Sequence, residues 1–286
     1  MRYYCLFMII SIGLAFSFSA QAQSGWTRTK QGFYLQASAA TFSSNEYYST
    51  SGQLFDQGST FRTHNLLIYG EYGLSDRLTA LVNVPVLQLN SFNTTETVAG
   101  IGSIRLGGKY RVLKDIPLAL QIELDIPTND GINFANAKEP NDIGIIEQIN
   151  LPTSDGEFNI WSTLAFSQSS NNGKTFGSLY ASTNFRTQGF SHQWQAGLEI
   201  GHLFFDQLYL IGKVKVQDDF TDTPRSVGSF LYGEGTTFTE AGITGMYKLN
   251  NSWRLVASFF HNSGLLIDQR NSYQGATFSL GLAYER

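Results

Sequence analysis

Between Ile116 and Ile126 the even positions carry Ile116, Leu118, Leu120, Ile122, Leu124 and Ile126, while the odd ones include Ala119, Gln121, Glu123 and Asp125. A period of two sends successive side chains to opposite faces, so this stretch predicts a β-strand with one apolar and one polar face. The pattern sets Trp194, Ala196, Leu198 and Ile200 against Gln193, Gln195 and Glu199. It sets Leu208, Leu210, Val214 and Val216 against Lys213, Lys215 and Gln217, and it returns in Phe278, Leu280, Leu282 and Tyr284.

Read along the whole chain, the alternation predicts twelve strands, near 32–43, 60–74, 77–89, 99–113, 116–127, 157–168, 174–187, 191–204, 207–217, 236–249, 252–263 and 273–286. Most exceed the roughly 9–11 residues that a tilted strand needs to cross a bilayer. Tight turns at 74–77, 113–116, 205–207 and 249–252 interleave with longer polar segments at 44–59, 90–98, 128–156, 218–235 and 264–272. Short periplasmic turns and long outer loops produce this rhythm. Parity assigns 169–173 and both chain ends to the periplasmic side and 187–192 to the outer side. A further strand inside 143–153 would shift the parity of everything after it.

Period two alone does not say which face looks inward; aromatic placement does. On the apolar parity, the residues nearest the periplasmic turns are Tyr72, Tyr110, Phe204, Tyr247, Trp253 and Tyr284. Amphipathic rings at one level of an outward face are what a membrane–water interface selects, whereas a soluble β-sandwich has no reason to ring one rim with them. The expected fold is therefore an all-β, single antiparallel transmembrane β-barrel of about 12 strands over 32–286, in the bacterial outer membrane.

The N-terminus adds an export signal. Arg2 precedes an apolar run from Cys5 to Phe18, followed by Ala20-Gln21-Ala22. This three-part pattern predicts a signal peptide over 1–22, cleaved after Ala22. Residues 23–31 are then a short periplasmic N-terminal segment. Cleavage leaves 264 residues and, since Arg2 is the one charge removed, shifts the net charge from −4 to −5. The sole cysteine, Cys5, leaves with the signal, so the mature chain has no disulfide or cysteine metal site.

Composition narrows the function classes. Only 15% of the 286 residues are charged, where about 25% is usual, and aromatics reach 14%. The mild negative charge excludes an electrostatic nucleic-acid binder, and the low charge with few prolines excludes disorder.

Leu151-Pro152-Thr153-Ser154-Asp155-Gly156-Glu157-Phe158-Asn159 and Arg186-Thr187-Gln188-Gly189-Phe190-Ser191-His192-Gln193-Trp194 resemble segments of outer-membrane barrel proteins related to the transporters of the MetA-type phenol-degradation family. So do Gly107-Gly108-Lys109-Tyr110-Arg111 and Leu124-Asp125-Ile126-Pro127-Thr128. The resemblance covers most of the mature chain and implies a barrel that passes small, apolar or aromatic molecules. Two departures stand out. Only Gln23 to Gln31 precede the first strand, in contrast to the N-terminal plug of long-chain fatty-acid transporters, and the chain ends Tyr284-Glu285-Arg286 rather than in a terminal aromatic.

Parity sends Glu71, Glu123, Asp125, Glu199 and Glu240 into the lumen, against Arg105, Lys109, Arg111, Arg186, Lys213, Lys215, Lys248 and Arg254. This net positive lining predicts a lumen favouring anionic or polar solutes, or else a closed interior of paired charges. Arg105 and Lys109 face Glu123 and Asp125 on the next strand and are expected to pair with them. Outer loops gather Glu46, Asp56, Glu96, Asp130, Glu139, Asp142, Asp155, Asp218, Asp219, Asp222, Glu234 and Asp268. No EF-hand spacing is present, so Asp218, Asp219 and Asp222 read as solvated loop acids and no metal or cofactor is expected.

An alternative is catalytic. His261-Asn262-Ser263-Gly264 looks like the His-x-Ser arrangement of outer-membrane lipid A deacylases and phospholipases, with Asp268 as a candidate orienting acid. Gly264 stands where the deacylase pattern has an Asn, removing an oxyanion donor. His64 and His192 fall near outer strand ends, and His202 on the outward parity near the inner rim, without metal-ligand spacing. The expected function is thus a non-enzymatic passive channel for a small solute, with a lipid hydrolase or a structural or adhesive barrel as alternatives. Expected partners are outer-membrane lipid and lipopolysaccharide, the barrel-assembly machinery and a small-molecule solute, with no nucleic acid.

Overall fold

The alternating segments fold as strands in a computed structural model that describes residues 23–220 and 235–286. The predicted signal peptide lies outside the described residues, as do Asp222 and Glu234. In chain order the strands are β1 (Phe33–Tyr48), β2 (Leu54–Ser75), β3 (Leu78–Phe92), β4 (Val98–Gly100), β5 (Ile104–Arg111), β6 (Leu118–Ile126), β7 (Phe134–Asn136) and β8 (Gln148–Asn150). They continue with β9 (Asn159–Ser169), β10 (Thr175–Arg186), β11 (Gln193–Phe204), β12 (Leu208–Asp219), β13 (Phe238–Lys248), β14 (Trp253–Ser263) and β15 (Ser272–Glu285).

Each barrel strand pairs antiparallel with its neighbour, and β1 pairs with both β2 and β15, which closes the ring. At the seam the Phe33 N–H donates to the Arg286 carbonyl at 2.8 Å and the Arg286 N–H returns to Phe33 at 3.0 Å. Counting β4 and β5 as one interrupted strand, the wall has twelve strands and no free edge. Closure is what lipid demands, because the hydrocarbon offers no partner to a stray backbone N–H or C=O.

The polarity is that of a barrel turned inside out. Leu120, Ile122 and Leu124 on β6 are exposed on the outer face, while Ala119, Gln121 and Glu123 between them are buried on the inner one. Leu198 and Ile200 on β11, and Phe278, Leu280 and Leu282 on β15, repeat this. At the periplasmic rim Tyr72, Tyr110, Phe204, Tyr247 and Trp253 are exposed. Trp253 packs edge-on against Tyr284 at 4.9 Å, and Tyr284 stacks on Phe33 at 5.4 Å.

Three details differ from the sequence reading. The segment 44–59 is mostly strand: β1 and β2 continue outward as a ribbon, with a register shift between Ser44 and Glu46, and turn only at 49–53. The fourth predicted strand breaks at 101–103 into β4 and β5, both on β3. The extra strand anticipated within 143–153 exists as β8, but it pairs with β7 in a separate two-stranded ribbon outside the wall, so barrel parity is unchanged.

Candidate functional site: the barrel lumen

The inner face is divided into three levels. The lowest is filled by the segment before β1. Although it has no periodicity, this segment folds into the periplasmic mouth and is fixed to the inner wall. The Gly25 N–H donates to Ser167 Oγ at 2.8 Å, the Arg28 N–H to Thr79 Oγ1 at 2.8 Å, and the Lys30 N–H to Asp76 Oδ1 at 2.9 Å. Glycine permits the close approach at two points. A Cβ on Gly25 would stand 1.8 Å from the Pro117 carbonyl oxygen, and one on Gly73 would stand 1.9 Å from that of Thr29.

Trp26 packs edge-on against Phe176 at 5.7 Å, beside a buried cluster that includes Tyr34, Tyr69, Tyr209, Ile211 and Met246. Arg28, itself 9% exposed, forms ion pairs with Glu71 at 2.6 Å and Glu285 at 3.0 Å. Its guanidinium also lies 5.1 Å from the Tyr34 ring centre. Glu71 takes Lys109 as a second partner at 3.7 Å, and Glu285 takes Arg254. Four of the residues predicted to line the lumen, Glu71, Lys109, Arg111 and Lys248, are thus on the inner face but below the open space. Arg111 reaches sideways to the Asp76 carbonyl in the periplasmic turn, at 3.1 Å.

The middle level is a cavity of about 870 Å³. Its wall includes seven of the other nine predicted lining charges, Arg105, Glu123, Asp125, Glu199, Lys213, Lys215 and Glu240, but neither Arg186 nor Arg254. Each cation there is already paired: Arg105 with Asp125 at 2.9 Å, Lys213 with Glu199 at 3.2 Å, Lys215 with Glu240 at 3.0 Å. Arg105 meets Asp125 across the β5–β6 ladder as anticipated, whereas Lys109 turns to Glu71 on β2. Asp155 joins from the long loop, so five carboxylates face three cations. Burial raises the Asp155 carboxyl above the usual carboxylate range, and Asp125 adds to the rise against the hydrogen bond from the Glu157 N–H. The positive lining expected from parity is therefore corrected. Arg186 is taken by Glu157, Arg254 and Lys109 by the lower network, and the open space is bordered by an excess of acid. Between the charges stand amides and hydroxyls such as Gln36, Asn83, Gln195 and Ser258, with the rings of Trp161, Tyr180 and Phe260.

The upper level is capped by the long loop. The Asn90 side-chain amide donates to the Pro152 carbonyl at 2.8 Å, Ser103 and Ser154 share a hydrogen bond of 2.8 Å, and Leu151 is fully buried. Leu151 and Ala135 close over Phe61, Phe92 and Tyr273, with Phe61 stacked on Tyr273 at 4.9 Å. The Arg186–Glu157 pair, both ends buried, fastens the end of this loop to β10.

The remaining candidates lie outside this cavity. Asp218 and Asp219 belong to the end of β12 rather than to a solvated loop. Asp218 accepts from Thr237 Oγ1 at 2.7 Å, and buried Asp219 accepts from the Gly235 N–H at 2.7 Å. No cluster of potential metal ligands occurs among the described residues. His261 and Ser263 share the outer face of β14. Ser263 Oγ donates to the Thr239 carbonyl at 3.4 Å, and Asp268 is exposed in the following loop. His202 shares a 2.8 Å hydrogen bond with Thr175 Oγ1 near the inner rim, and His192 Nδ1 accepts the Arg186 N–H at 3.1 Å.

No protein-family model matches this sequence, and no curated protein matches it either. Solved structures do. The chain is similar to the COG4313 outer membrane channel from Pseudomonas putida F1, with a TM-score of 0.64 at 12% identity over 94% of this chain and 100% of that one. It is also similar to a deltaS2S3 mutant of the TodX monoaromatic hydrocarbon channel, with a TM-score of 0.51 at 9% identity over 94% and 95% of the two chains. At these identities the likeness is one of fold. With the exposed apolar belt, the inward polar face and the closed ring, it gives this chain the fold of a β-barrel of the bacterial outer membrane.

Proposed function

We propose that this barrel is a passive channel for a small polar solute, neutral or cationic. The observation that supports the reading is the mid-lumen cavity, which combines hydrogen-bonding amides and hydroxyls with an excess of carboxylates over already paired cations. A hydrocarbon would strand those polar groups without partners, at a cost of about 1–3 kcal/mol each. Among the described residues of the cavity wall an anion would meet no cation that is not already paired, and it would be repelled by the acid surplus, because a low-dielectric wall focuses the field of the dominant sign. Rings such as Trp161 and Phe260 supply flat apolar surface against which a polar solute can also stack. Passage needs the segment 23–32 and the loop cap to yield.

The test is single-channel recording of the refolded mature protein across a salt gradient. The expected result is small, intermittent openings with a reversal potential favouring cations. A silent barrel, or an anion-selective one, would overturn the proposal.

A further inference from the structure

The outer face carries a second concavity, a groove of about 410 Å³ across β15, β1, β2 and β3. Its floor is low because β1 presents Ala39 and Thr41, while Leu66, Leu87, Phe278 and Leu280 form the sides. The strand registers fix what stands above it. His261 on β14 is level with Ala276 on β15, Ala276 with Ser43 on β1, and Ser43 with Arg62 on β2. One step lower, Thr41 is level with His64. All six follow the outward parity of their strands, and Arg62 and His64 are exposed.

Two small residues therefore separate His261 from the Arg62–His64 pair. Three inter-strand steps put the two sides roughly 14 Å apart. Arg62 is ten residues beyond the rim aromatic Tyr72 on the same strand. At strand rise and tilt this is about 25 Å, the height of the apolar band of an outer-membrane barrel. The basic side chains thus sit where the apolar belt gives way to outer-leaflet headgroups. Just beneath His261, Phe259 packs against Phe278 at 5.0 Å.

We propose that this face is a binding seat for a phosphorylated, acylated glycolipid of the lipid A type, one acyl chain lying in the groove and the phosphates at Arg62–His64 and at His261. Charge complementarity selects the occupant. A wide, flat headgroup bearing two anionic groups fits two basic positions separated by Ala276 and Ser43, whereas a diacyl phospholipid carries a single phosphate and satisfies one of them. The seat gives His261 a role in holding a headgroup without any ester cleavage.

Native mass spectrometry of the purified mature barrel in detergent, titrated separately with lipid A, dephosphorylated lipid A and phosphatidylglycerol, tests the proposal. One lipid A should be retained in preference to the other two. Arg62→Glu should weaken retention at least roughly fivefold, the worth of one basic group at a membrane surface, and His261→Ala, which removes the imidazole as a hydrogen-bond donor, should weaken it too. Ala39→Phe, which fills the groove, should weaken it too, while Leu179→Ala on the opposite wall should not. Equal retention of phosphatidylglycerol, retention unchanged in the Arg62, His261 and Ala39 variants, or release of a free fatty acid from the lipid would overturn it.

Discussion

Arg28 illustrates how much one residue carries in this lumen. It belongs to a short irregular segment, yet it is nearly buried and joins two carboxylates that come from the second and the last strand. Truncating one member of a buried ion-pair network leaves the others charged and unpaired, at a cost of about 3–5 kcal/mol. Arg28→Ala should therefore release the segment rather than leave it docked. Limited proteolysis should then cut near Lys30 faster than it cuts the unmodified chain. Gly73→Ala should do the same by steric means, since its new methyl group collides with the Thr29 carbonyl. Asp155 makes a prediction in pH. Its folded value is raised, so the neutral form suits the docked loop better, and the loop gains stability as pH falls and loses it as pH rises through that value. Asp155→Asn also removes one of the five cavity carboxylates, so cation preference in bilayer recordings at neutral pH should be weaker in Asp155→Asn than in the unmodified channel.

The elements differ in how legibly the sequence announced them. β6 was readable because six apolar residues alternate without a break from Ile116, and its inner face, Gln121 and Glu123, followed from the same pattern. The outer ribbon of β1 and β2 was not. Residues such as Ser44, Asn45, Glu46, Asp56 and Gln57 project beyond the lipid, where neither face needs to be apolar, and alternation vanishes though the hydrogen bonds continue. The lower filling of the lumen was illegible for a related reason. Segment 23–31 has no period to read, and its only signals are the single Trp26 and Arg28 among small and polar neighbours. The charge of the cavity was misjudged in consequence, since three of the bases assigned to it, Lys109, Arg186 and Arg254, are held by acids outside the open space, Glu71, Glu157 and Glu285. Deleting residues 23–31 should leave the wall intact, judged by gel mobility of the unheated protein, and raise conductance several-fold. Unchanged conductance would place the constriction in the loop cap instead.

At the scale of the whole molecule, stability rests on the lipid-facing belt and the closed hydrogen-bond ring rather than on a dry core. Ile122 stands midway along β6 on the outer face. Ile122→Arg should lower the folding free energy in bilayers by about 2–4 kcal/mol, measured by urea titration. The ring has one seam, between β1 and β15, where Phe33, the first residue of the wall, bonds directly to Arg286, the residue that follows β15. Glu285, the last residue of β15, is also where Arg28 finds its second carboxylate. During biogenesis, then, the amino-terminal stopper has no complete dock until the carboxyl-terminal strand arrives. A barrel with its last strand missing is both unsealed at the side and unstoppered from below, so sealing the wall and shutting the lumen become a single late event.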